Sequence, residues 1–180
     1  MKTLMFISLF TFAYSVSAYY NNNYQLNQDY SINFSTTRAN GTLSGLAGEV
    51  LFDKENINKS YMDVTVDAST IKTGNKTKDK HARNSKWFDV KTHPTISFTS
   101  QSVSKTNKSY QVIGILSIKG ISQKHTINFE IDKRNGENFL IGTTEVNRNK
   151  FNIEGNSFGF LVGDIVQIEL RVPANYSKQI

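Results

Sequence analysis

The amino-acid sequence predicts one all-β domain of about eight strands, closed as a barrel or stacked as a sandwich. Three observations carry this. Apolar residues recur at every second position through most of the chain, so each strand turns one face to a core and the other to water. Short polar or glycine-centred breaks separate these runs. The 180 residues include no cysteine, so the core must be held by packing alone, and the length suits a single domain.

The first segment reads as a leader rather than as part of the fold. Lys2 is its positive start, Leu4 to Phe12 its apolar stretch, and Val16-Ser17-Ala18 a small-residue cleavage site. The expectation is a signal peptide over residues 1–18 and a single exported domain over residues 19–180. The apolar stretch falls short of the about 20 residues that a membrane span needs. Tyr19 to Asn23 then reads as a polar start. The full chain carries a formal charge of +6, and removing Lys2 leaves +5.

The strands follow in order. Tyr30, Ile32 and Phe34 alternate with polar residues. Leu43 to Phe52 forms a glycine-rich strand whose Gly45 and Gly48 predict bulges or bends. Met62, Val64 and Val66 share a face, as do Ile96 and Phe98 after Pro94. Tyr110, Val112, Leu116 and Ile118 share another, and His125, Ile127, Phe129 and Ile131 another. Phe139 to Asn147 and then Val166, Ile168, Leu170 and Val172 complete the set. Turns are expected at Asn40-Gly41, Lys119-Gly120, Asn135-Gly136 and Val162-Gly163-Asp164. One polar, lysine-rich stretch interrupts the strands. It predicts a helix of about three turns over residues 75–86, N-capped by Asn75 and tucked onto the strands by Trp87-Phe88.

Little here points to catalysis. His81, His93 and His125 lack the close spacing of zinc ligands, so no metal is expected. No cofactor motif occurs. His125, on an apolar strand face, reads as a satisfied core histidine. No GxSxG nucleophile elbow is found. Asp79 and Arg83 stand four apart and are expected to pair on one helix face, with His81 pointing elsewhere. The simplest reading is a capped, salt-bridged helix plugging a barrel end. The functional reading places Asp79, His81 and Arg83 at a pocket mouth. The basic charge suits anionic partners, including transient contact with a membrane surface. Nucleic acid is not expected, because the aromatic residues share parity with the aliphatic core and leave no outer face for stacking bases.

The same stretch carries a family resemblance. Thr73-Gly74-Asn75, then Lys78 to Ser85, Trp87-Phe88-Asp89 and His93-Pro94-Thr95-Ile96-Ser97-Phe98 resemble the signature of the YceI-like family. Gly48 to Asp53, Gly114 to Ser122, Asn147 to Phe151 and Val162-Gly163-Asp164 resemble its further motifs in the same order. Lys78, Ala82 and Lys150 depart from the residues usual there. The resemblance implies an eight-stranded antiparallel lipocalin-like barrel, exported, that holds a polyisoprenoid chain such as that of an isoprenoid quinone, with no catalytic activity. A barrel of this size either fills with side chains or holds one slender ligand.

Parity then names the inward candidates for an apolar pocket: Ile32, Phe34, Val64, Val66, Ile96, Phe98, Val112, Leu116, Ile127, Phe129, Val166 and Ile168. Gly45, Gly48 and Gly114 are expected to leave room among them. Asp79, His81, Arg83 and Arg148 are the candidates to meet a head group. The competing expectation is a secreted enzyme acting on a lipid or small molecule through Asp79, His81 and Arg83.

Overall fold

The computed structural model describes residues 30–154 and 162–178. The expected leader, its cleavage site and the polar start lie outside these residues. Eight strands close into an antiparallel barrel: β1 (Ser31–Thr36), β2 (Ala39–Leu51), β3 (Tyr61–Lys72), β4 (Thr95–Lys105), β5 (Tyr110–Ile118), β6 (Ile121–Arg134), β7 (Glu137–Asn147) and β8 (Ile165–Pro173). Each pairs with the next, and β1 pairs with both β2 and β8 to complete the ring. The choice between barrel and sandwich is thus settled in favour of the barrel.

A ninth short strand, β9 (Asn175–Lys178), was not expected. Its cause is a mismatch of lengths. β2 has 13 residues and β1 only 6. β1 covers Ala39 to Leu43, and β9 covers Gly48 to Leu51 on the same side. Between them Tyr30 fills the break, its hydroxyl accepting from the Leu46 N–H at 3.0 Å.

The predicted turns at Lys119-Gly120 and Asn135-Gly136 are both present, with positive φ at each of the four residues. That pattern is what a two-residue turn between right-twisted strands requires. Asn40-Gly41 is not a turn. It lies inside β2, and the chain reverses at Thr37-Arg38 instead. The glycine-rich β2 does bulge, with register shifts between Thr42 and Ala47. At Gly48 φ is +99°, and a Cβ there would meet the Asp63 carbonyl oxygen at 2.1 Å, so only glycine fits.

The helix, α1 (Lys76–Ala82), is shorter than predicted. Asn75 caps it as expected, its side chain accepting from Thr77 N–H at 3.0 Å and Lys78 N–H at 3.1 Å. It stops early because the chain folds back on it. Phe88 N–H bonds to the Ala82 carbonyl at 3.0 Å and Val90 N–H to that of Arg83 at 3.2 Å. These satisfy carbonyls that a longer helix would have used.

Two apolar clusters occupy the interior. At one end Phe52, Tyr110 and Phe129 touch, with ring centroids 4.8 to 5.7 Å apart. They pack with Val103, Val112 and Leu140. At the other end Ile118, Val146, Phe151 and Ile153 pack with Trp87, Phe88 and Ile96. Among the described residues no helix is long and apolar enough to cross a membrane.

Candidate functional site

Between the two clusters lies a cavity of about 500 Å³. This falls within the roughly 300–1,000 Å³ of small-molecule sites. Period-two alternation builds its wall. Ile32, Phe34, Val64, Val66, Ile96, Phe98, Leu116, Ile127, Phe129, Val166 and Ile168 all line it. Val112 does not. It is fully buried in the cluster around the Phe52, Tyr110 and Phe129 rings at the floor of the barrel, and of these rings Phe129 borders the cavity.

The wall also contains Met62, Leu170 and Val172, which share the inward parity of their strands. Leu43, Leu46 and Val50 were hidden by the bulges of β2, which break strict alternation between Leu43 and Leu46. The glycines do not open the interior as expected. Gly45, Gly48 and Gly114 do not border the cavity, whereas Gly142 does. At Gly114 a Cβ would come 2.4 Å from the Thr99 carbonyl oxygen and 2.7 Å from the Phe98 ring, so that glycine allows close packing within the wall.

The mouth is made by α1, the turn after β1 and the Trp87-Phe88 pair. Arg38, Lys78, His81 and Trp87 line it together with Thr36, Thr73, Asn75 and Thr77. Among the described residues the cavity is lined by no Asp or Glu, so its polar rim consists of cations and neutral groups. An apolar body with a few convergent donors suits an amphiphile whose head accepts hydrogen bonds.

Asp79, His81 and Arg83 do not form one cluster. Asp79 turns away from the cavity and accepts from the Thr73 hydroxyl and N–H, both at 2.7 Å. That hydroxyl bond first, and the backbone bond second, hold its carboxyl below the usual aspartate range. The expected Asp79–Arg83 pairing is absent. Arg83 sits at the helix C-cap and reaches back to β3, its Nε donating to the Ser69 carbonyl at 2.6 Å and its Nη2 to that of Ile71 at 2.8 Å. Only His81 of the three faces the cavity.

Arg148 reaches the cavity as a buried charge, about 8% exposed. Its Nε donates to the Gly163 carbonyl at 3.1 Å, and Nη1 to that of Ile153. Nη2 donates to the Val162 carbonyl at 3.2 Å and to Asp164 Oδ1 at 3.0 Å. Trp87 covers the guanidinium, its ring centroid 5.7 Å from Cζ. The charge is therefore largely committed to holding Ile153 against Val162–Asp164.

Midway along the wall a polar pair breaks the apolar surface. His125 Nε2 lies 2.8 Å from Thr144 Oγ1, which in turn donates to the Thr126 carbonyl at 2.9 Å. The threonine has one hydroxyl proton, and it goes to Thr126, so the imidazole donates from Nε2. Burial first, and the charge of Lys150 second, lower the His125 pKa below its ordinary value. Among the described residues no three His, Asp or Glu side chains converge as a metal site.

Comparison with known proteins identifies relatives of this architecture. The profile of the YceI-like domain matches residues 24–174. A UPF0312 protein of Photorhabdus laumondii is 30% identical over 91 residues, which is 51% of this chain and 47% of that protein. The chain thus spans about half the length of the curated relatives it matches. The crystal structure of Burkholderia cenocepacia BcnA superposes with a TM-score of 0.76 at 22% identity, covering 83% of this chain and 99% of that one. A polyisoprenoid binding domain from Saccharophagus degradans, implicated in plant cell wall breakdown, gives a TM-score of 0.54 at 11% identity over 84% of this chain and 97% of its own.

Proposed function

This chain belongs to the YceI-like family, and on that premise we propose that it is an exported binding protein that sequesters or carries a long-chain apolar lipid, a polyisoprenoid or isoprenoid quinone, inside the barrel. The observation that carries the reading is the cavity itself: an apolar interior of about 500 Å³ whose rim offers cations and neutral donors but no carboxylate among the described residues. The polyisoprenoid-binding domain of similar fold supports the same class of ligand. The predicted leader over residues 1–18 supports export, to the periplasm or beyond the cell.

The mechanism is burial. Each CH₂ withdrawn from water contributes about 0.8 kcal/mol. Ordering a flexible chain and immobilising the ligand offset much of that sum. Lys78, Arg38 and His81 at the mouth would meet the head, and the positive surface would aid approach to anionic membrane within about 8 Å. What favours binding over catalysis is that Asp79 and Arg83 are spent on Thr73 and on β3 carbonyls, leaving His81 with neither beside it at the mouth.

The single tryptophan, Trp87, lies at the mouth and reports on occupancy. Titration with an isoprenoid quinone should quench its emission to saturation at one quinone per chain. A quinone without the tail should quench only by collision. Equal, unsaturable quenching by both would count against the proposal.

A further inference from the structure

The wall of the barrel is incomplete between β6 and β7. Their ladder ends at Asn128↔Thr143. Beyond that point, among the described residues, Ile121 to Ile127 of β6 pair only with β5, and Thr144 to Asn147 of β7 only with β8. Two strand edges therefore face one another without a shared ladder, toward the mouth half of the cavity. Bare edges leave backbone groups to be satisfied by other means. Here side chains do it: Thr144 Oγ1 donates to the Thr126 carbonyl, and His125 Nε2 donates to Thr144 Oγ1.

The same two side chains line the inner cavity and a shallow outer depression bordered by Lys124, Thr126, Asn128, Thr143, Glu145 and Gln167. One layer of side chains thus separates interior from solvent at this seam. The outer depression is polar, which suits the head of an amphiphile rather than its tail.

The two routes into the cavity are held very differently. At the mouth, Arg83 is tied to two β3 carbonyls, Asp79 to Thr73 twice, and Arg148 to three carbonyls and Asp164. Moving α1 or the Arg148 turn breaks several charge-assisted bonds at once. At the seam two hydrogen bonds hold the gap, and burial disfavours the charged form of the imidazole. Such an element has a low cost of local opening.

We propose that the β6–β7 seam is a side gate of the cavity, latched by His125 and Thr144, through which a polar-headed amphiphile is exchanged while the mouth stays closed. This rests on the apolar-ligand reading above. The latch swings when the His125–Thr144 and Thr144–Thr126 bonds break, and the two strands part without unpairing from β5 or β8.

The experiment uses the absence of native cysteine. Continuing the Asn128↔Thr143 register sets Thr126 opposite Glu145, and both border the outer depression. The double variant Thr126→Cys, Glu145→Cys closes the seam as a disulfide or with a short bis-thiol crosslinker, and reductant reopens the disulfide. Stopped-flow quenching of Trp87 by a ubiquinone carrying two isoprene units gives both rate constants. Closure should slow association and release alike by about tenfold, equivalent to about 1.4 kcal/mol of barrier, with the dissociation constant unchanged. In the uncrosslinked chain, His125→Ala and Thr144→Val should each speed both rates. Unchanged rates in the closed form and in both unlatched variants would overturn the gate and assign exchange to the mouth. Absence of saturable quinone binding in the unmodified protein would remove the binding reading, and the gate with it.

Discussion

At the floor of the barrel Phe52, Tyr110 and Phe129 meet ring to ring over the fully buried Val112. At the mouth Arg148, Arg83, Asp79 and Asn75 spend their polar atoms on backbone groups of neighbouring segments. The floor is held by apolar burial, which tolerates no hole. The mouth is held by directed bonds to the chain, and its Arg38, Lys78 and His81 face the cavity. An apolar floor and a cationic rim give the cavity a polarity that would hold an amphiphile with its tail inward and its head at the rim.

Removing the floor should have the largest effect. Phe129→Ala is expected to cost about 3–5 kcal/mol of stability, read from urea unfolding midpoints. A loss near that of a surface substitution would mean that the rings do not close the barrel.

Next comes the clamp at the mouth. Arg148→Met leaves the carbonyls of Ile153 and Val162 without the guanidinium donor, while that of Gly163 keeps the Thr36 hydroxyl, at a cost of about 1–3 kcal/mol. Arg148→Lys should recover little of this, since one ammonium cannot span the acceptors that a planar guanidinium reaches. Full recovery by lysine would show that charge alone matters there.

The rim should separate binding from stability. The double variant Lys78→Ala, His81→Ala is expected to leave stability within about 0.5 kcal/mol. Its affinity for an isoprenoid quinone should fall by up to about tenfold, the scale of one or two hydrogen bonds. Squalene, which has the tail without the head, should bind as before; equal losses for both would place the head elsewhere.

The smallest effect is the pH response of His125. Its folded pKa lies below the unfolded value of about 6.5. Between the two, the unfolded chain takes up a proton that the folded one refuses. Stability therefore falls as pH drops below about 6.5 and is regained as it rises. Lys124 and Glu145 border the same depression as this imidazole, and the charge of Lys150 reinforces the direction. Unfolding midpoints at about pH 7.5 and about pH 5 should differ less in His125→Gln than in the unaltered chain.

Much of this contrast was legible before any coordinates. Strict alternation placed Ile32, Phe34, Val64 and Ile127 on the inner wall, because a pleated strand leaves no other side for them. The two turns at Lys119-Gly120 and Asn135-Gly136 carry their own chemistry and were equally plain. What escaped was whatever depends on neighbours. β4 shifts register between Ser100 and Ser102 with no glycine to announce it, turning Val103 inward. The helix ended at Ala82 because Phe88 and Val90 return to cap it, a contact that no local propensity encodes. Asp79 and Arg83 had suitable spacing to pair, yet each found a better partner in another element. The break between β6 and β7 has no proline or turn signal in the sequence; its only trace is the polar pair His125 and Thr144 at inward-facing positions.

The most direct measurement is native mass spectrometry of the protein produced with export intact, followed by extraction into organic solvent. A lipid carrier should show a discrete added mass that leaves with the solvent and matches a polyisoprenoid. A bare chain whose mass stays unchanged after incubation with isoprenoid quinones would contradict that role.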